Sequence, residues 1–249
     1  MTNFEEVVAD AAAFPITGWD WTPLRGHDSM DPRPWDYLRE VTSRLGGVTT
    51  LLDLGTGDGE LLASISPRPS RMVATEGFAP MIPVAQARLS PLGIDVVPIS
   101  DGGWDHLPFD DGFFDAIIDA RTYYSAPEIG RLLAPGGWFL TEQVGSGNDR
   151  ELNELLTGKL EPLNPDMQTA ANQLEENGLR VVDAREALIP HRFHDIWGVV
   201  YYLRLVTWQL PDFTVDRYRS GLRQIHGHIL ENGAFVAMSR RYLLAAVKR

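Results

Sequence analysis

Three alternate glycines constrain this chain more than any other feature. The run Asp53-Leu-Gly-Thr-Gly-Asp-Gly-Glu60 follows the apolar stretch Val48-Thr-Thr-Leu-Leu and precedes Leu61-Leu-Ala63. That order reads as a buried strand, a glycine turn and a helix. Alternate glycines let the backbone turn tightly and approach a ligand closely. The helix N-terminus that follows would offer unpaired N–H groups and a positive dipole end, suited to a carboxylate or phosphate.

Spacing narrows the ligand. A dinucleotide loop is Gly-x-Gly-x-x-Gly. Here the spacing is Gly-x-Gly-x-Gly, and Glu60 stands where the dinucleotide pattern needs its last glycine. Asp53, two positions before Gly55, would repel a pyrophosphate but could orient the amino-acid part of a zwitterionic ligand. A second β-rich run, Arg71-Met-Val-Ala-Thr-Glu, ends on Glu76. A carboxylate at that tip can accept from both hydroxyls of a ribose, so Glu76 supports a nucleoside ligand without choosing between cofactors. A third run, Ile94 to Ser100, leads to Asp101, able to accept from an adenine amino group, and Trp104 or Met81 could cover the ring. Any one of these acids could be a solvated strand end. Three in order behind a glycine loop make that reading poor.

The rhythm of the chain agrees. Short β-rich runs alternate with helical stretches from about residue 48, the pattern of βαβ units around a mostly parallel sheet. Pro83 to Leu89 reads as a helix, and Pro98 gives the third strand an irregular or edge position. Phe114-Asp-Ala-Ile-Ile-Asp is a fourth strand, and Trp138-Phe-Leu-Thr-Glu-Gln a fifth, after a tight turn at Pro135-Gly-Gly. Residues 145–168 look like a surface excursion. Thr169 to Asn177 is helical, Leu179 to Ala184 a sixth strand, and Arg241 to Val247 the last. The expected layout is one domain: an N-terminal helical or lid segment (1–47), an α/β core (48–189), a cap insertion (190–236) with two amphipathic stretches, and a final strand (237–249).

Composition sets outer bounds. With 249 residues, 44% hydrophobic and 22% charged, the chain suits one globular α/β domain. No apolar run is long enough to span a membrane, the acidic start differs from a secretory signal, and cysteine is absent, so a cytoplasmic protein without disulfides is expected. Net charge is −12, unevenly spread. Residues 1–179 hold 28 acidic and 11 basic side chains (−17), whereas residues 180–249 hold 6 and 11 (+5). The overall charge argues against a nucleic-acid partner. His226 and His228 make a poor metal pair, and no metal is expected.

The run Leu51-Leu-Asp-Leu-Gly-Thr-Gly-Asp-Gly-Glu resembles motif I of class I S-adenosylmethionine-dependent methyltransferases, type 11-like members in particular. Val73-Ala-Thr-Glu with Met81 is similar to motif II, and Leu107-Pro-Phe-Asp-Asp-Gly-Phe-Phe-Asp and Ile129-Gly-Arg-Leu-Leu-Ala-Pro-Gly-Gly resemble the stretches leading into strands four and five. The resemblance covers roughly residues 48–145. It implies a Rossmann-like seven-stranded sheet with an antiparallel last strand, helices on both faces, and S-adenosyl-L-methionine as cofactor. It places cofactor contacts on Asp53, Gly55, Thr56, Gly57, Glu76, Gly77, Met81, Asp101, Gly102 and Asp119. The segment Asp101-Gly-Gly-Trp-Asp-His is longer than the family pattern, which weakens the assignment of Asp101.

Methyl transfer from a sulfonium is an in-line displacement, so alignment and exclusion of water can supply much of the catalysis. No catalytic residue is named by the sequence. Acceptor contacts are expected from Arg121 and Tyr124 after strand four, from Trp21 in an aromatic N-terminal stretch, and from His194, which Asp195 could support as a base. A small-molecule acceptor is the leading expectation. An RNA or protein acceptor using the basic C-terminal third, a non-catalytic binding protein, and an oxidoreductase on a related sheet are the alternatives.

Overall fold

The apolar run before the glycine loop forms β2 (Thr50–Leu54), with all but its first residue buried. In the computed structural model, residues 3–100, 103–159 and 165–249 are described. β2 pairs in parallel with β3 (Arg71–Glu76) on one side and with β5 (Phe114–Ala120) on the other. β3 pairs in turn with β4 (Asp95–Pro98), and β5 with β6 (Leu133–Val144). Central strands of a parallel sheet are buried on both faces, which is why they read as continuous Val/Ile/Leu runs. The chain lays β3 and β4 to one side of β2 and then returns to lay β5 and β6 on the other. The reversal falls between β2 and β5, and ligands of open α/β sheets bind beyond the strands' carboxyl ends at such a point.

The full sheet has eight strands in the order β1-β7-β8-β6-β5-β2-β3-β4, with β1 (Asp28–Met30), β7 (Leu179–Phe193) and β8 (Phe235–Lys248). The expected count of seven is corrected by β1, a three-residue edge strand antiparallel to β7, too short to leave a periodic signal. Arg249 N–H donates to Gly178 O at 3.1 Å and Lys248 Nζ to Leu133 O at 2.7 Å. These bonds bring the end of β8 to the starts of β7 and β6, so β8 runs against both. β4 is the edge strand that Pro98 suggested. The turn expected at Pro135-Gly-Gly lies instead inside β6, where the register with β5 shifts and Gly136 adopts a φ of 76°.

The residues cluster into two compact units. A sheet unit comprises Pro34–Val144, Pro165–Glu186 and Tyr242–Arg249, and a helical unit comprises Met1–Arg33, Gly145–Asn164 and Ala187–Arg241. The sheet unit contains α2 (Tyr37–Thr42), α3 (Glu60–Ser64), α4 (Ile82–Leu89), α5 (Ala126–Leu132) and α7 (Met167–Glu176). Its core joins Leu52, Phe114, Ile117, Ile129, Phe139 and Leu174. The helical unit contains α1 (Phe4–Ala13), α6 (Arg150–Thr157), α8 (Ile196–Leu205) and α9 (Val215–Asn232). Every residue of α8 except Arg204 is buried, and Arg204 reaches the carbonyls of Ala11 and Phe14. The two amphipathic stretches of the insertion are therefore real helices, in a connection spanning residues 194–234 because both flanking strands are longer than expected.

Residues 145–168 are not merely a surface excursion. α6 follows Asn148 and Asp149, both buried, and Asp149 holds a left-handed φ of 46°. Its carboxylate accepts from Tyr202 Oη at 2.6 Å, Asn148 Nδ2 at 2.9 Å and His191 Nδ1 at 3.2 Å. The other imidazole nitrogen of His191 donates to Asp28 at 3.1 Å. Burial alone would lower the pKa of His191, but the carboxylates of Asp149 and Asp28 outweigh it and raise the value to about 8. A histidine with a folded pKa above its unfolded value of 6.5 stabilises the protein fully below pH 6.5 and ceases to do so as the pH passes 8. The difference is worth about 2 kcal/mol. Urea unfolding at pH 6 and pH 9 should show His191→Gln losing about 2 kcal/mol less than the parent between the two. Equal losses would mean His191 is not the titrating group.

Candidate active site

β3 ends on Glu76, and β2 and β5 each carry an aspartate one residue from the end. Asp53 pairs in register with Ile118, Leu54 with Asp119, and Glu76 with Pro98, so the three carboxyls stand at the carboxyl ends of neighbouring strands. All three are buried: Asp53 is 2% exposed, Asp119 0% and Glu76 6%. Asp119 Oδ1 accepts from Thr122 N–H at 3.0 Å, and Oδ2 from Thr141 Oγ1 at 3.0 Å and Gln143 Nε2 at 2.6 Å. Burial outweighs these bonds and lifts its pKa to about 8, with the nearby Asp53 charge adding to the effect. Asp53 is raised to about 7, chiefly by burial, partly relieved by the Thr56 hydroxyl and increased by Glu76. Asp53 Oδ2 and Thr56 Oγ1 are buried with no hydrogen-bond partner among the described residues. A buried, unpaired carboxyl oxygen carries a desolvation cost that a ligand can remove.

The glycine loop is stitched to β3. Thr56 N–H donates to Thr75 O at 2.8 Å, and Gly55 N–H to Thr75 Oγ1 at 3.2 Å. Glu76 Oε2 accepts from Gly57 N–H at 2.6 Å, and Oε1 from Phe78 N–H at 2.7 Å. Glu76 thus fixes the loop as well as ending the strand, a role the sequence did not reveal. Each of its oxygens retains a lone pair for a hydroxyl donor. Gly55 and Gly57 both hold φ of 61°. A Cβ on Gly55 would lie 2.0 Å from Thr122 Oγ1, so no side chain fits there. A Cβ on Gly57 would meet nothing within 4 Å, leaving the loop bare on that side. The expected helix dipole plays a smaller part, because α3 is only five residues long.

Around this centre, Gly77 packs under Trp104, whose ring would lie 3.0 Å from a Cβ at that position. Met81 precedes α4, with its N–H donating to Phe78 O at 2.8 Å. Asp101 and Gly102 lie outside the described residues. Tyr37 is a second residue not anticipated: its buried hydroxyl donates to the carbonyls of Asp119 and Leu140 and accepts from Asp119 N–H, tying β5 to β6. Nothing but an aromatic in an N-terminal helix could have signalled it.

The four expected acceptor contacts divide between the units. In the sheet unit, Arg121 is half exposed and ion-paired to Glu142 at 3.0 Å. Tyr124 packs edge-on against Phe139 with ring centroids 4.9 Å apart, and burial holds its hydroxyl protonated. In the helical unit, Trp21 is 48% exposed beside Tyr202. His194 Nε2 is hydrogen-bonded to Ser29 Oγ at 2.9 Å. Asp195 does not serve His194: it accepts from His27 Nδ1 at 2.7 Å and caps α8 through Gly198 N–H. The His191 imidazole, not that of His194, is the one held between carboxylates.

Comparison with known proteins gives the site a context. The family of methyltransferase domains matches residues 52–141, the stretch that carries Asp53, the glycine loop, Glu76 and Asp119. An uncharacterised methyltransferase of Mycobacterium tuberculosis is 27% identical over 206 residues, covering 78% of this chain and 80% of that protein. A protein-L-isoaspartate O-methyltransferase of Brucella anthropi is 32% identical over 133 residues, 48% of this chain and 59% of that protein. The YcgJ protein of Bacillus subtilis shares the fold, with a TM-score of 0.62 at 18% identity over 85% of this chain and 97% of its own. The cofactor of this family has an ammonium, a sulfonium and a ribose. The residues present fit it: an unpaired buried carboxyl oxygen, a bare glycine loop and a strand-end carboxylate with lone pairs to spare. The match over residues 52–141, the similarity to curated methyltransferases and the fit of the site together support a class I S-adenosylmethionine-dependent methyltransferase.

Proposed function

We propose that this enzyme methylates a small-molecule acceptor by in-line displacement. The observation that carries this reading is the state of the basic C-terminal third, where five arginines are ion-paired within their own units. Arg185 is bound by Glu40 and Asp183, Arg192 by Asp31, and Arg217 by Asp212. Arg219 and Arg223 share Glu5, and Arg219 also takes Asp216. A phosphate-binding face needs cations free to replace counterions. These five already have carboxylates, Arg204 is taken by the carbonyls of Ala11 and Phe14, and Lys248 by that of Leu133. No helix among the described residues is long and apolar enough to cross a membrane. A protein acceptor is the second reading, supported by the local similarity to isoaspartate methyltransferases.

S-adenosylmethionine supplies a methyl group already activated on a sulfonium. The protein's part is to hold and align. In this proposal Asp53 takes the ammonium end, and Gly55, Thr56 and Gly57 let the backbone come close. Glu76 accepts from the ribose hydroxyls, while Gly77, Met81 and Trp104 flank the base, with Asp101 and Gly102 nearby in sequence. Asp119 organises the loop after β5 through Thr122 N–H, where Arg121 and Tyr124 begin the acceptor side.

Incubating the enzyme with methyl-tritiated S-adenosylmethionine and fractionated cell extract should place label in a low-mass fraction. Gly57→Asp should abolish it, because the new side chain occupies the bare side of the loop. Label in protease-sensitive polymer would favour the protein acceptor instead. Glu76→Gln presents an NH2 group to one of the two loop amides it now accepts from. That should cost about 1–3 kcal/mol of cofactor affinity, roughly five- to 150-fold in Kd by calorimetry. An unchanged Kd would remove Glu76 from the site.

A further inference from the structure

Arg121 is held in an unusual way for a residue beside a cofactor loop. Its φ of 69° is left-handed, one of two such non-glycine residues among those described. For a residue with a long side chain this is a strained conformation that the surroundings must hold in place. The backbone is fixed there by Arg121 N–H donating to Glu142 O at 2.8 Å. The side chain is fixed by the same residue, with Arg121 Nη1 3.0 Å from Glu142 Oε1. Glu142 is buried, and its Oε2 accepts from Trp35 Nε1 at 2.7 Å, so the carboxylate cannot swing to follow the guanidinium. The result is a cation set rigidly at the carboxyl end of β5, its side chain 48% exposed. The next residue, Thr122, lies directly against Gly55. Balancing the buried Glu142 charge would not by itself require a strained backbone or a half-exposed guanidinium, and five donors are more than one carboxylate oxygen uses.

We propose that Arg121 determines acceptor specificity by binding an anionic group of the acceptor, a carboxylate or a phosphate, through the donors that Glu142 leaves open. The assignment rests on the methyl-transfer reading above. A planar guanidinium oriented from behind by a carboxylate presents a fork that matches either oxyanion in bidentate geometry. Anchoring the acceptor at a rigid point beside the cofactor loop would serve alignment, which this chemistry most needs.

The test uses the full-length enzyme loaded with S-adenosylhomocysteine, titrated separately with benzoate and with inorganic phosphate. The readout is the arginine Nε–H signal that disappears in Arg121→Lys, together with calorimetry. At least one anion should bind, shift that signal, and weaken at least about tenfold in Arg121→Gln. Arg121→Lys should fall between, since an ammonium keeps the charge but loses the fork. Cofactor affinity should stay within about twofold in both variants, since Arg121 pairs with Glu142 and not with Asp53, Glu76 or the glycine loop. Preference for benzoate assigns a carboxylate acceptor, and preference for phosphate a phosphorylated one. The proposal is overturned if wild-type enzyme that binds cofactor binds neither anion, or if Arg121→Gln binds them undiminished. Arg121 would then only neutralise Glu142. Failure of the wild-type protein to bind the cofactor at all would instead refute the methyl-transfer reading on which this proposal stands.

Discussion

The structure depends on placing ionisable groups where water cannot reach them. β2 and β5 lie in the middle of the parallel part of the sheet, buried on both faces, and each carries next to its last residue an aspartate that is itself buried. Burial makes the charged forms of Asp53 and Asp119 costly, and both are pushed towards neutral pH. Asp119 recovers part of that cost internally, through Thr122, Thr141 and Gln143, and in doing so shapes the loop after β5. Asp53 Oδ2 makes no full hydrogen bond to the described residues, and the nearby Thr56 hydroxyl relieves it only in part. One acid thus serves the architecture while its neighbour keeps an unpaired buried oxygen. A cationic ligand end is what would let Asp53 ionise without leaving a bare charge in a low-dielectric site.

The surrounding backbone is organised by the same logic of filling each polar group's needs locally. Glu76 accepts from amides on two segments, Gly57 and Phe78, and thereby sets the glycine loop against the turn before α4. Tyr37 bridges β5 and β6 from α2. In the helical unit, His191 bridges Asp28 and Asp149, and both Asp149 oxygens accept, so the buried part of this cluster is satisfied. Such fully satisfied networks tend to rigidify and specify one arrangement.

Much of this was legible in the sequence where a local pattern carries the information. The parallel core strands, the glycine loop, the strand-tip acids Asp53 and Glu76 and the two insertion helices follow from apolar periodicity and spacing, whereas Asp119 came only from the family resemblance. What escaped was non-local. β1 is three residues long, and its identity comes from pairing with β7 rather than from any run of its own. Residues 148–149 read as a polar loop because the partners that bury them, such as His191, Tyr202 and Gln209, are distant in the chain. Asp195 looked like a partner for its neighbour His194, but adjacent residues on extended backbone point apart, and His27 took the carboxylate instead. Glu76 was recognised as a ligand-facing acid, yet its second role needed the loop's folded position.

The central claim is that Asp53 is kept protonated by burial until a cation arrives. The direct measurement is calorimetric titration of the enzyme with S-adenosylmethionine at pH 6 in buffers of different ionisation enthalpy, which counts protons exchanged on binding. With a free-state pKa of about 7, Asp53 should ionise on binding and release close to one proton per cofactor, and Asp53→Asn should release about one fewer. Binding at pH 6 with no proton release, or with the same release in Asp53→Asn, would contradict the account.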